Sequence, residues 1–503
     1  MDFHAIFKKT LLILFSLCVL TVSIESVFAI DITQTDLISH RAQIHSEGEK
    51  IFLVWTERSE NNTETFFSKS IDEGVTFSKP MNLSDNPGDS AFPRMAINGN
   101  DVFVTWYDYS QGQSEVMFAK SLDLGDTFTS YNISDNISAS YNPWIAAYSD
   151  FVYLVWNDGG KSQELEIGGK TKIVDVLVGD TDIMLGVSDD KGQNFEIKNI
   201  SNMTGDSINS RMRISDNSVY LTWKQGLPNS DIFFSKSIDS PFSFSTPINV
   251  SNSNSPSSNS GIQVYDEDIY LIWEEKNENS REIYFSKSED KGNSFQFPIS
   301  LSGNLGNYKI TRDTQIGISY PHLYVVYNGG INSGIYLAHS PNMGDTFYDP
   351  INLSANSISS GFAQILTKEN NINVIWREKV DGYKNVFLRE SFDYGHTFGP
   401  KINLSDNFME AELSVLGPQI SLSDNFLNIV LENQKNSTSN LFLKQKPLNS
   451  SLSFLVSDIE NQIFFEENEI QPGKETAIKI KFLNWEKSIL MNYKIHLELL
   501  YIY

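Results

Sequence analysis

The stretch Ser70-Ile71-Asp72-Glu73-Gly74-Val75-Thr76-Phe77, SIDEGVTF, decides the fold, because it returns six more times in the same chain. Its copies are SLDLGDTF at 121–128, SDDKGQNF at 188–195, SIDSPFSF at 237–244, SEDKGNSF at 288–295, SPNMGDTF at 340–347 and SFDYGHTF at 391–398. Successive copies begin 51, 67, 49, 51, 52 and 51 residues apart. A repeat near fifty residues signals stacked or radially arranged units, and one unit here carries an insertion of about sixteen residues.

Working outward from the octet, each unit shows the same order of β-rich runs. A segment such as RMAIN (94–98) precedes a run closed by an aromatic: IFLVW (51–55), VFVTW (102–106), VYLVW (152–156), VYLTW (219–223), IYLIW (269–273), LYVVY (323–327) and INVIW (372–376). Runs such as TFFSKS (65–70) and EIYFSKS (282–288) lead into the octet, and PMNLS (80–84), PINVS (247–251), PINLS (350–354) or KINLS (401–405) follow it. Val, Ile, Phe and Tyr in short runs bounded by Asn, Asp, Gly and Ser read as four strands per unit, A to D. An eighth unit at 418–445 has A, B and C but neither octet nor D, while ITQTDLIS (32–39) looks like a stray D strand. An N-terminal strand completing the last blade would hide both sheet edges. The expectation is an all-β propeller over 30–454 with eight four-stranded blades, seven being the alternative.

The octets match the Asp box, and residues 30–450 resemble the sialidase-like (BNR repeat) superfamily. The residue types fit structural work. Asp72, Asp123, Asp190, Asp239, Asp290 and Asp393 can accept hydrogen bonds from N–H groups of their own turns, while Gly74, Gly125, Gly192, Gly292 and Gly395 tolerate positive φ. The closing Phe of each octet is expected to tuck under its turn and seal the blade. Pro241 stands where glycine is usual and cannot take positive φ, so the fourth turn should be distorted. Asn342 replaces an aspartate but keeps an acceptor, so the sixth should be little changed.

At the N-terminus, Lys8 and Lys9 precede an apolar run from Leu11 to about Val22 and then Val27-Phe28-Ala29, the pattern of a secretory signal over 1–29. The alternative, an uncleaved anchor, suffers from a run shorter than the ~20 residues of a membrane span. Cys18, the single cysteine, lies inside that signal, so the exported chain has no thiol chemistry and no intrachain disulfide, and its stability must come from packing. A formal net charge of -25 argues against nucleic acid or an anionic membrane as the main partner. No mature segment reads as a membrane span and no cofactor is expected. The alternating pattern at 461–484 suggests a small β-sandwich-like segment over 455–503.

The resemblance puts the octets on the face opposite the ligand site, and the B-to-C and D-to-A loops on the ligand face. From Trp156 to Ser188 is 32 residues, against 15 from Trp55 to Ser70, so the insertion, within 159–180, belongs to the ligand face. Reading strand A back from the aromatic suggests one register for Arg41, Arg94 and Arg211, with Arg213 a step beyond. Sialidases hold a sugar carboxylate with three arginines, since planar guanidinium groups pair bidentately with carboxylates; His40-Arg41-Ala42 and Phe92-Pro93-Arg94-Met95 do not match the family's Phe/Tyr-Arg-Ile-Pro motif. Ion pairs that merely brace the ring are the plainer expectation for these arginines. Glu57, Asp108, Asp158, Glu275 and Glu378 recur with the repeat and read as structural. No Tyr-Glu nucleophile pair stands out, and the histidines lack metal-ligand spacing. Asn-x-Ser sequons at Asn82, Asn132, Asn352 and Asn403 belong to strand D and are candidate glycan acceptors in an exported glycoprotein. The expected function is a secreted or cell-surface module binding a glycan or surface protein; the alternatives are a sialidase-like exo-glycosidase and a structural envelope protein.

Overall fold

The computed structural model describes residues 29–448 apart from 34, 61, 168–169, 177–179, 216–217, 239, 278–280, 304–313, 331–332, 356, 358, 406–411, 414–416 and 436–437, with isolated short strands at 21–22, 452–453, 463–465 and 480–482. Most of the expected signal and of the 455–503 segment lie outside the described residues. The chain divides into two compact units, and the larger holds Ala29–Asp424 with Asn428–Lys444.

That unit is all-β, a propeller of eight four-stranded antiparallel blades among the described residues. In blade 1, strand A is Ile38–Glu47, B is Lys50–Arg58, C is Thr63–Ser70 and D is Met81–Asn82. Each A strand packs on the A strand of the next blade, and the series closes from blade 8 onto blade 1. The B strands are buried on both faces, which is why they read as continuous apolar runs rather than alternating ones. Trp55, Trp106, Trp156, Trp223, Trp273 and Trp376 at their ends are fully buried. Each core cluster spans two neighbouring blades, as Phe52 and Val54 do with Val104 and Trp106.

Ring closure uses an N-terminal strand, shifted from the expected residues. Ala29–Asp31 pairs antiparallel with Thr438–Pro447, Ile30 facing Leu443. Leu441 N donates to Thr33 Oγ1 at 3.1 Å, just as Thr65 N donates to Ser84 Oγ at 3.0 Å. Asp31-Ile32-Thr33 thus stands in for Asn-Leu-Ser of the other D strands, and Ile38 onward already belongs to strand A of blade 1. In six further blades the serine of that tripeptide takes a strand-C N–H in the same way, for example Val116 N to Ser134 Oγ at 2.9 Å and Val386 N to Ser405 Oγ at 3.0 Å. Asn82 Oδ1 meanwhile accepts from Ser84 N and Asp85 N at 3.1 and 3.0 Å. The repeated sequon is explained by the turn it builds.

The octet is a closed hydrogen-bond circuit. Ser121 Oγ donates to Asp123 Oδ1 at 2.6 Å and accepts from Gly125 N at 2.7 Å, and Asp123 takes Thr127 N at 3.0 Å and Thr127 Oγ1 at 2.6 Å. The same bonds hold Asp290 and Asp393 as anions at about 2, chiefly through the hydroxyls of Ser294 and Thr397. Asn342 keeps the circuit, with Thr346 N at 2.9 Å and Gly344 N on Ser340 Oγ at 2.8 Å. Blade 4 departs as Pro241 requires: Ser237 Oγ accepts from Val219 N instead, and Ser240–Phe244 adds a strand with a shifted register; Asp239 lies outside the described residues. The closing Phe does more than tuck under its own turn. Phe128 packs edge-on against Phe67 of the preceding blade at 5.0 Å, and Phe195 does the same to Phe118 at 5.1 Å, so the octet fastens one blade to the one before it.

Candidate functional site

Strand A carries a bulge in blade after blade, and the bulge decides which residues ring the axis. The register slips between His40 and Gln43, Ala91 and Arg94, Tyr141 and Trp144, Ile208 and Arg211, Ser258 and Gly261, and Gly361 and Gln364. In each the first of the two residues skipped has positive φ: Arg41 56°, Phe92 54°, Asn142 56°, Asn209 58°, Asn259 52°, Phe362 57°. Such bulges re-aim a side chain and sharpen the twist.

This corrects the register expected for Arg41. Arg94 and Arg211 each precede their blade's tryptophan by twelve residues, paired with Thr105 and Thr222. In blade 1 that place belongs to Gln43, paired with Val54, and Arg41 lies on the bulge. The inner register therefore reads Gln43, Arg94, Trp144, Arg211, Gly261, Gln315 and Gln364 through blades 1 to 7. The glutamines do uniform work: Gln43 Oε1 accepts Met95 N at 3.2 Å, and Gln315 and Gln364 accept Ile365 N and Ile420 N at 3.3 Å. Each ties its strand to the next around the ring.

Blades 2 to 5 lack that glutamine, and in blades 2 to 4 large side chains take its place together. The Arg94 and Arg211 guanidinium carbons lie 4.3 and 4.8 Å from the centroid of the one Trp144 ring. Arg94 retains some open surface, yet burial pushes it down to about 10, with Arg211 adding to the effect. Among the described residues no carboxylate pairs with Arg94. A cation held this way, beside a second cation, lacks the counter-charge that usually accompanies burial. Arg213 is committed elsewhere: its Nε donates to Gln263 Oε1 at 2.9 Å and its Nη1 to Met212 O at 3.0 Å.

Nearer the rim, Arg41 lies 3.4 Å over the ring of Phe92, which stacks on Tyr107 at 5.3 Å. Burial lowers Arg41, while the hydroxyl of Tyr107 and the carboxylate of Glu432 favour its charge. Glu432 also accepts the Arg41 backbone N–H at 2.7 Å. His40 is pushed down to about 4 by burial first and Arg41 second. The structure thus brings Arg94 and Arg211 together on Trp144, leaves Arg41 on a neighbouring aromatic step, and turns Arg213 toward blade 5. Sequence reasoning missed Trp144, Phe92 and Tyr107; counting twelve residues back from each blade's aromatic would have found the first.

The insertion lies where the residue count placed it. Lys161–Ile167 and Lys170–Val176 form a hairpin between strands B and C of blade 3, the blade of Trp144. The octets lie at the other end, where Leu124 N donates to Asn100 O and Lys191 N to Asp150 O in their own A–B turns.

The repeating acids are structural. Trp55 Nε1 donates to Glu57 at 3.1 Å, Trp273 Nε1 to Glu275 at 2.9 Å and Trp376 Nε1 to Glu378 at 3.0 Å. Asp108 and Asp158 instead take Asn86 and Ser90, and Asn136 and Ser140. A tyrosine and a glutamate meet at Tyr284 and Glu282, on strand C of blade 5, two strands out from the axis. Among the described residues no cluster of three metal-ligating side chains and no helix able to cross a membrane is present.

No family model matches the chain, and no curated protein matches it. Among solved structures, an ulvan lyase from a new polysaccharide lyase family is 12% identical over 85% of this chain and 97% of its own, at a TM-score of 0.45. The same kind of lyase bound to a glucuronate–sulfated rhamnose ligand gives 13%, 70%, 93% and 0.46. The endosialidase of phage phi92 is 10% identical over 95% of this chain and 80% of its own, at 0.40. Likenesses of this degree leave the chemistry of the chain to be read from its own residues.

Proposed function

We propose that this protein is a secreted or cell-surface propeller of the sialidase-like, Asp-box kind that binds an anionic, polyhydroxylated ligand, a glycan, at the ring formed by blades 2 to 4. The observation that carries the reading is the Arg94–Trp144–Arg211 group: two guanidinium groups on one indole, with no carboxylate on Arg94. An acid sugar supplies what Arg94 lacks, an anion for its guanidinium group, and a flat C–H face for the aromatic ring. In a chain of net charge -25, such a cluster focuses attraction for an anion against a repelling background. The hairpin of blade 3 rises at the same end. Arg41, with Phe92 and Tyr107, forms a second contact step toward the rim. Export fits the ring closure, since cleavage after Ala29 leaves Ile30 and Asp31 to pair in blade 8.

A charge-assisted contact contributes about 1.5–3 kcal/mol, so removing two weakens binding by at least tenfold. The test is a glycan array followed by calorimetry on the mature protein, on Arg94→Ala/Arg211→Ala, and on a form lacking 159–180. Acidic glycans should be retained by the parent and lost by the arginine variant. Equal binding by both would remove the site. Release of a fluorogenic sugar, abolished by Tyr107→Phe, would replace the binding reading with that of a glycosidase.

A further inference from the structure

Three of the seams between blades are tied in one way, and a fourth puts histidines in the same places. At three seams the lysine just before an octet reaches across to the residue just after the glycine of the next octet. Lys69 meets Asp126 at 2.6 Å between blades 1 and 2, Lys236 meets Asn293 at 2.9 Å between 4 and 5, and Lys287 bonds Asp345 between 5 and 6. None of these contacts contains a histidine, the side chain whose ordinary charge change falls between pH 5 and 8. Between blades 6 and 7 both places are histidine: His339 before Ser340, and His396 after Gly395, ring centroids 5.3 Å apart. His322, which opens strand B of blade 6, adds a third, with its Nδ1 2.9 Å from His339 Nε2. A hydrogen bond between two ring nitrogens needs one of them bare of a proton.

We propose that the blade 6–blade 7 seam is an acid-sensitive joint, closed by neutral imidazoles and loosened when they protonate. The surroundings give an added proton little help. Tyr324 stacks on His339 at 4.8 Å, Tyr394 on His322 at 4.7 Å, and Tyr348 meets His339 edge-on at 5.3 Å. Among the described residues, Asp393 is the acid whose charge bears on His339, and its oxygens are taken by Ser391 Oγ, Thr397 N and Thr397 Oγ1. Burial lowers His339 to about 4, with His322 and His396 next; burial, then His396, lowers His322 as well. Since the folded state holds these groups neutral and the unfolded chain binds protons near 6.5, the seam's contribution is whole above about pH 6.5 and is lost as pH falls toward 4.

The test is hydrogen exchange on the mature protein at pH 7.5 and 5.0, comparing peptides of 334–340 and 391–398 with those of 282–295 at the lysine–aspartate seam in the same samples. After correction for intrinsic rates, protection at the histidine seam should fall at least tenfold more than at the lysine seam. His339→Lys/His396→Asp, which installs the lysine–aspartate pair of the blade 1–2 and 5–6 seams, should abolish that difference. Equal loss at both seams, or imidazole titration of His322 and His339 in the parent by NMR at the ordinary 6.5, would overturn the proposal even if the double variant does not fold.

Discussion

The octet turns and the inner register of strand A are built on the same eightfold backbone, and they treat it oppositely. The octets keep their residues and spend them on one circuit, so that Asp123, Asp290 and Asp393 have nearly superimposable partners. The inner register keeps its bulge and pairing but changes its side chains, from Gln43 to Arg94, Trp144 and Arg211 and back to Gln315 and Gln364. Repetition marks what the fold requires of every blade. Departure from repetition, where the backbone is unchanged, marks what only some blades are asked to do.

The largest effect should come from breaking the repeated half. Gly125 has φ +80°, and a Cβ there would lie 2.5 Å from the Phe67 ring of the preceding blade. Gly125→Ala combines backbone strain with overpacking of the seam and should cost about 3 kcal/mol in chemical denaturation. Gly99 is the control: φ is +63° but nothing lies within 4 Å, so Gly99→Ala should cost only the strain, about 1 kcal/mol. Equal costs would mean that the octet glycine serves φ alone and that the contact between blades is dispensable.

The variable half makes an opposite prediction. Arg94→Gln gives blade 2 the residue of blades 1, 6 and 7, whose amide oxygen accepts the next A strand's N–H. It removes a crowded cation without a carboxylate partner among the described residues, so the fold should gain about 1 kcal/mol. Glycan binding should fall at least tenfold. Opposite signs are the mark of a residue kept for function at the expense of stability. A loss of stability would show instead that Arg94 braces the ring.

The octet half was legible in the sequence because its chemistry is local: aspartate, glycine and hydroxyl lie within eight residues and bond one another. Pro241 and Asn342 could be judged from residue type alone, and the structure bears both out. The closing strand was legible in kind but read a few residues late, because Asp31-Ile32-Thr33 satisfies the Asn-Leu-Ser pattern with three different side chains. The candidate site was less legible. Its members are brought together by the packing of neighbouring blades, and Arg41, fourteen residues before Trp55 where Arg94 stands twelve before Trp106, falls on the bulge rather than in the inner register. Trp144 has no sequence signal beyond its place twelve residues before Trp156, and its two arginine neighbours come from other blades.

The smallest effect tests whether the repeated half is itself optimised. Glutamate two residues after the blade tryptophan takes the buried indole N–H in blades 1, 5 and 7. Asp108 is one methylene shorter, and the Trp106 Nε1 has no partner among the described residues. In exchange Asp108 accepts Ser90 Oγ at 2.6 Å, Asn86 Nδ2 at 2.7 Å and Ser110 N at 2.8 Å. Asp108→Glu should recover an indole bond of about 1 kcal/mol and give back part of it where Asn86 and Ser110 lose an ideal acceptor. The net expectation is about 0.5 kcal/mol of stabilisation, read as a small rise in the denaturation midpoint, with Glu275→Asp falling by a similar amount. Should Asp108→Glu lower the midpoint instead, the shorter acid is there to hold the 86–90 loop beside Arg94. The aspartates of blades 2 and 3 would then belong with the arginines and Trp144 as departures made for the site.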